Sequence, residues 1–173
     1  GLVLLIAKPK LLAKRLSTGE TEPEQRRVLA LSSLIFAASF LMCALDFRFG
    51  WSAVPTWLST VGCVVFLLAY AGFAELLREN EYLSRSVELQ AGQKVVSTGM
   101  YGIVRHPMYA VIIWLFLSMP LILGSYIGLI PLAFIPYVLV KRLLNEEKLL
   151  CDGLDGYDEY MKKVRYRLIP FVW

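Results

Sequence analysis

Two apolar blocks, residues 28–47 and 54–77, stand between polar, charged segments, and each holds the roughly twenty residues a helix needs to cross a bilayer. Asp46 and Arg48 mark the far edge of the first block. Pro55 suits a helix start, and Glu75 and Arg78 mark the exit of the second. Together the blocks predict a helical hairpin. Residues 79–101 are polar, carry the breakers Gly92 and Gly99, and separate that hairpin from a third apolar stretch. This stretch, 108–144, is too long for one ordinary span and is interrupted by Pro120, Gly124, Ser125, Pro131 and Pro136. Its economical reading is a tight hairpin, one helix near 106–123 and another near 126–144, whose outer ends return to the same side. That return carries Arg105 and His106 toward Arg142 and Glu146.

The first seven residues are apolar but too few to span, and Lys8, Lys10, Lys14 and Arg15 follow them. They read as a truncated first span, an interfacial segment or a remnant of processing, without the n-region and cleavage site of a complete signal peptide. Residues 17–24 are polar, contain Gly19 and Pro23, and read as a loop. The expected architecture is all-α. It is one integral membrane domain over residues 1–173, with four transmembrane helices and an N-terminal arm or partial span over 1–27.

Composition agrees, with 57% hydrophobic residues and 18% charged ones, against roughly one quarter charged in soluble domains. In the four-span topology the N-terminal arm, the 78–105 loop and the tail after residue 144 share one side. Of the 18 Lys and Arg residues, 15 fall in those segments and Lys141 and Arg142 at the adjoining end of the last helix, which leaves Arg48 alone opposite, and the positive-inside rule makes the crowded side cytoplasmic. The net charge of +4 aids contact with anionic lipid, and no basic patch interleaved with exposed aromatics points to nucleic acid. Cys43, Cys63 and Cys151 lack CxxC spacing, so neither a disulfide framework nor a metal cluster is expected. Trp51, Trp57, Trp114 and Trp173 read as interface anchors or packing groups, and Gly62, Gly72, Gly124 and Gly128 as sites of close helix contact or turns.

The chemistry concentrates at the ends of the apolar stretches. Arg105-His106-Pro107-x-Tyr109 contains the single histidine, and Arg142-x-x-x-Glu146-Glu147 follows a helix later. A cation, an imidazole and two carboxylates cost free energy near hydrocarbon unless they meet partners, water or a ligand. Pro107 fits a first helical turn, which leaves His106 at the helix start, either as a cap or packing group or facing a water-accessible pocket. On a helix, Arg142 and Glu146 share a face, whether as a salt bridge or a site, and Glu147 is rotated by roughly 100° toward a different contact.

The full pattern is Lys94-Val95-Val96-x-x-Gly99-x-Tyr101-x-x-x-Arg105-His106-Pro107-x-Tyr109, then Arg142-x-x-x-Glu146-Glu147, then Tyr157-x-x-Tyr160 and Arg167-x-x-Pro170. Over residues 92–170 it resembles the isoprenylcysteine carboxyl methyltransferase family of integral membrane enzymes. It departs from the family pattern in a Tyr160 to Arg167 interval longer by one residue, and in an N-terminal region that is short or lacks a span.

The resemblance implies a multi-helix methyltransferase that uses S-adenosyl-L-methionine, releases S-adenosyl-L-homocysteine and requires no metal. The cofactor is then enclosed by the C-terminal half near the cytosolic face. By the same resemblance Lys94, Val95, Val96, Tyr101, Arg105, His106, Tyr109 and Glu146 are assigned to the cofactor pocket. Arg142 and Glu147 are assigned to the reaction centre, and Tyr157, Tyr160 and Arg167 to pocket closure. The partners expected are the lipid bilayer and a lipophilic methyl acceptor, with protein partners and oligomeric state open. Carboxyl O-methylation leads among the reactions. Phospholipid or small-molecule N-methylation, an NADPH-dependent reductase of the sterol type and a non-enzymatic membrane scaffold stand as alternatives.

Overall fold

In the computed structural model, residues 23–83, 89–90 and 92–173 are described, with side chains from residue 25 onward. The expectations for residues 1–22, and those parts of the 79–101 loop at 84–88 and 91, lie outside the described residues. Every regular element among the described residues is helical.

Helix α1 (Pro23–Phe49) and helix α2 (Thr56–Glu79) realise the two apolar blocks, and both are long and apolar enough to cross a membrane. Residues 23–27, expected to belong to the arm, instead form the start of α1. Pro23 is compatible with this because a proline in the first turn removes no intrahelical hydrogen bond. Pro55 caps α2 in an extended conformation, as the sequence predicts.

Helix α3 (Pro107–Ile122) begins at the proline of the motif, but its 16 residues rise only about 24 Å. The expected fourth span is divided into a short α4 (Leu129–Leu132) and α5 (Ile135–Gly153). Pro136 has no N–H to donate to the Leu132 carbonyl, so the helical path is broken where the two meet. Two helices long and apolar enough to span, followed by a shorter helix and a broken one, thus stand where four transmembrane helices were expected. Helix α6 (Tyr157–Lys163) follows a left-handed Gly156 (φ +80°).

Helices α1 and α2 are consecutive yet are not close neighbours: α2 packs along α3, and α1 packs on α4 and α5. Small residues decide this pairing. A Cβ at Gly62 of α2 would sit 3.2 Å from the Leu121 Cβ of α3, so the absence of a side chain permits the approach. The main core joins Val28 and Ile35 of α1, Tyr109 of α3, Leu132 of α4, Ile135, Val138, Leu139 and Leu143 of α5, and Leu168 of the tail. Outward, Leu34, Leu67 and Leu68 are 66%, 65% and 68% exposed, an inside-out apolar surface suited to lipid.

One end of the bundle is tied by a polar knot. Buried Asp46 accepts hydrogen bonds from the Ser52 amide (2.7 Å), the Ser52 hydroxyl and the Ser125 hydroxyl, and Ser39 Oγ donates to the Gly128 carbonyl at 2.7 Å. A Cβ at Gly128 would collide with Cys43 Sγ and crowd Pro120. Gly128→Ala is therefore expected to lower the thermal midpoint in detergent through an overpacking cost of about 1–3 kcal/mol, and adding Cys43→Ala to recover part of the loss.

Candidate active site

The opposite end of the bundle holds the ionic residues. Their placement begins with backbone: the Arg105 and His106 amides donate to the Tyr166 and Arg167 carbonyls at 2.8 and 2.9 Å, which fastens the chain before α3 to the tail. Arg105 then turns inward. Its Nε donates to Glu147 Oε1 at 2.6 Å, and its Nη1 donates to the Val164 and Arg165 carbonyls at 2.9 and 3.0 Å. Arg167 Nε donates to the other carboxylate oxygen of Glu147 at 2.8 Å. The result is an Arg105–Glu147–Arg167 bridge, buried at Arg105 and Glu147 and half-buried at Arg167. Burial alone would raise the Glu147 carboxyl, but its contacts with His106, Arg167 and Arg105 outweigh that and hold it down to about 2.

Glu146, one residue earlier, faces another way. It accepts a 2.6 Å hydrogen bond from the Tyr109 hydroxyl, while Arg142 Nη1 reaches Gln25 Oε1 of α1 at 3.4 Å. The 100° rotation between Glu146 and Glu147 thus separates two environments, one facing a cavity and one behind its wall. His106 occupies the N-cap position of α3, its buried Nε2 3.5 Å from Glu147 Oε1 and without a hydrogen-bond partner among the described residues.

The segment before the motif and the tail complete the enclosure. Gly99, at φ +48°, opens a single 3-10 turn, and a Cβ there would strike the Glu79 carboxylate, to which Thr98 Oγ1 donates at 2.7 Å. The Tyr101 hydroxyl accepts from Asn80 Nδ2 at 3.0 Å, and Tyr160 donates to the Tyr101 carbonyl at 2.7 Å. Burial pushes the Tyr101 phenol up to about 12 and raises those of Tyr157 and Tyr160 as well, so all three remain neutral donors. The Tyr157 hydroxyl is buried without a hydrogen-bond partner among the described residues.

These groups surround a cavity of about 440 Å³, within the roughly 300–1,000 Å³ range of small-molecule sites. Lys94, Val95, Val96, Tyr101, Arg105, His106, Tyr109, Arg142, Glu146, Tyr157 and Tyr160 all line it. Glu147 and Arg167 are not among its lining residues and act on it from behind, through Arg105 and His106. Other parts of the wall went unread in the sequence, among them Val28, Leu29, Ser32, Ser33 and Phe36 of α1, Ile112 and Phe116 of α3, Asn80 and Gln93. A signal existed in α1, where adjacent serines interrupt an apolar span and share a helical face with Val28 and Phe36. Asn80 and Gln93 carried none, because their role depends on a loop path.

A profile of the isoprenylcysteine carboxyl methyltransferase (ICMT) family matches residues 60–152, more than half of the chain. The chain belongs to that family. The match includes the Lys94–Tyr109 region and the Arg142/Glu146/Glu147 cluster, so the ICMT signature and the ionic half of the cavity coincide. The structure of the eukaryotic intramembrane Ras methyltransferase ICMT superposes with a TM-score of 0.72 at 19% identity, covering 99% of this chain and 61% of that one. This chain therefore shares the ICMT fold and spans about three-fifths of that protein's length. No curated protein matches the sequence.

Proposed function

We propose that this chain catalyses S-adenosylmethionine-dependent methyl transfer to a lipophilic acceptor, with carboxyl O-methylation as the reaction and the cytoplasmic membrane face as its location. The observation that carries the reading is the two-part cavity. Ionic and aromatic groups of the family signature line one part, and apolar side chains of α1 and α3 line the other. A polar cofactor and a greasy acceptor need such a chamber in common.

The residues present fit the cofactor. Among the described residues the buried Tyr157 Oη finds no hydrogen-bond partner and His106 Nε2 meets only the Glu147 carboxylate at 3.5 Å, both beside a cavity of the right size, and the Glu146 carboxylate on its wall suits a cationic ligand. Lys94, Val95, Val96, Tyr101, His106, Tyr109 and Glu146 would hold it. When bound, S-adenosylmethionine supplies an electrophilic methyl group on a sulfonium, a chemistry for which no metal is required.

The protein's own part is alignment and electrostatics. The Arg142 guanidinium, buried where α1 meets α5, would hold the acceptor carboxylate in place, and an ionised carboxylate needs no base to attack. The Tyr109 hydroxyl keeps Glu146 pointed at the cofactor side. Glu147 organises the centre indirectly by fixing Arg105 beside His106. The apolar wall excludes water. For an amine acceptor, Glu146 becomes the proton acceptor, and it is the one carboxylate among the described lining residues. A nicotinamide dinucleotide finds less support, because Arg105, one of three cations on the wall, is already committed to Glu147.

Calorimetry on detergent-purified protein is expected to show binding of S-adenosylmethionine and S-adenosylhomocysteine and none of NADPH. Glu146→Ala and His106→Ala are each expected to weaken that binding by roughly 10- to 100-fold, the worth of one charge-assisted or buried hydrogen bond. NADPH binding would replace the reading with the reductase one. A folded protein that binds none of the three would leave a scaffold.

A further inference from the structure

The turn formed by residues 168–173 takes no part in the methyl-transfer chemistry, yet its construction is specific. The Arg167, Leu168 and Ile169 amides all donate to the Trp173 carbonyl at 2.9, 3.0 and 3.1 Å, and the Val172 and Trp173 amides donate back to Ile169. Phe171 adopts φ +65°, the only positive φ at a non-glycine residue among those described, and a conformation disfavoured for a bulky side chain. The tied turn presents Ile169, Phe171 and Val172 to the outside, with Phe171 86% and Val172 73% exposed.

Position and charge say what covers them. The His106 amide bonds to the Arg167 carbonyl, and Leu168 joins the core against Tyr109, so the turn sits level with the first residues of α3, where that helix's apolar course begins. Residues 161–173 carry Lys162, Lys163, Arg165 and Arg167 and no carboxylate side chain. The first three are exposed, and Arg167 lies over the Trp173 ring at 5.2 Å. Apolar side chains at the tip, a tryptophan beside them and a basic stretch leading in are the three elements of an interfacial anchor.

We propose that the 168–173 turn seats in the headgroup layer of the bilayer that holds the helices. Its apolar tip enters the acyl boundary, and Lys162, Lys163 and Arg165 contact anionic lipid. Seating is coupled to the cavity, because Arg167 of this segment holds Glu147, which holds Arg105 next to His106. The membrane surface thereby steadies the wall of the site. The proposal does not depend on which acceptor is methylated.

The test is a solvatochromic probe on Val172→Cys, in the full chain carrying Cys63→Ala and Cys151→Ala, reconstituted in nanodiscs of phosphatidylcholine or of phosphatidylcholine with phosphatidylserine. Asp155→Cys in the acidic loop serves as the aqueous control. A blue-shifted emission at position 172, quenched by lipids brominated near the headgroup and not by aqueous iodide, is expected, with the reverse at position 155. Quenching should deepen with phosphatidylserine and fall to the phosphatidylcholine level in Lys162→Glu/Lys163→Glu/Arg165→Glu. An aqueous spectrum at 172 in both lipids overturns the proposal. So does burial that appears only in discs holding two copies, which would make the turn a protein contact. Burial indifferent to lipid charge and to the basic residues overturns the anionic-lipid part.

Discussion

Arg142→Ala is expected to lower methyl transfer to an isoprenylcysteine analogue by roughly 10²- to 10³-fold, the loss typical when one preorganised donor is removed from a reaction centre. The guanidinium is buried, faces the cavity beside its apolar part and lies against Gln25. No water can take over its fork-like geometry at that depth. Arg142→Lys keeps the charge without the planar pair of donors, so only a partial recovery is expected. The distinguishing measurement pairs kcat/KM with calorimetric affinity for S-adenosylhomocysteine. A large fall in the first with little change in the second places Arg142 on the acceptor; a parallel collapse of both would place it in the cofactor pocket instead.

Glu147→Ala should have the largest effect on stability. It removes the carboxylate shared by Arg105 and Arg167, leaving two guanidinium groups without their common counter-ion, one of them buried. Breaking a buried pair from one side costs about 3–5 kcal/mol, which thermal unfolding in detergent would register as a large drop in midpoint. Glu147→Gln, which preserves the shape of the carboxylate but not its charge, should fall between. The dependence on pH has a definite sign. Because the folded carboxyl is held down to about 2 from an ordinary 4.5, its stabilisation is complete above about pH 4.5 and is lost as pH falls toward 2. The gap in midpoint between wild type and Glu147→Gln should therefore narrow across that window. A gap that stays constant there would show that ionisation of the Glu147 carboxyl is not what the bridge depends on.

The two experiments separate residues that look equivalent in the sequence. The family resemblance assigned Arg142 and Glu147 together to a reaction centre, and both belong to one short charged cluster. In the fold, Arg142 faces the cavity and Glu147 stands behind its wall. The helical period already implied that Glu146 and Glu147 diverge, but it carried no information on what each would meet. Glu147's partners come from residues 105 and 167, and no local pattern links positions 42 and 20 residues away.

Hydrophobic blocks, being a property of consecutive residues, determined by themselves the helical class and the two long helices, the prolines marked the starts of α2 and α3, and the charged and aromatic motif residues carried the family signature. The same blocks could not say which helix lies beside which. The expected pairing of α1 with α2 gave way to α2 on α3 and α1 on α4 and α5, because close approach is decided by facing pairs such as Gly62 and Leu121. Nor could they show that Pro136 would break the last span, since a proline's missing N–H matters only where a particular carbonyl, here that of Leu132, awaits it. The cavity belongs wholly to the tertiary structure. Its ionic residues were legible as types that are costly near hydrocarbon, whereas the α1 face, Asn80 and Gln93 became part of it only when elements distant in sequence enclosed a common volume.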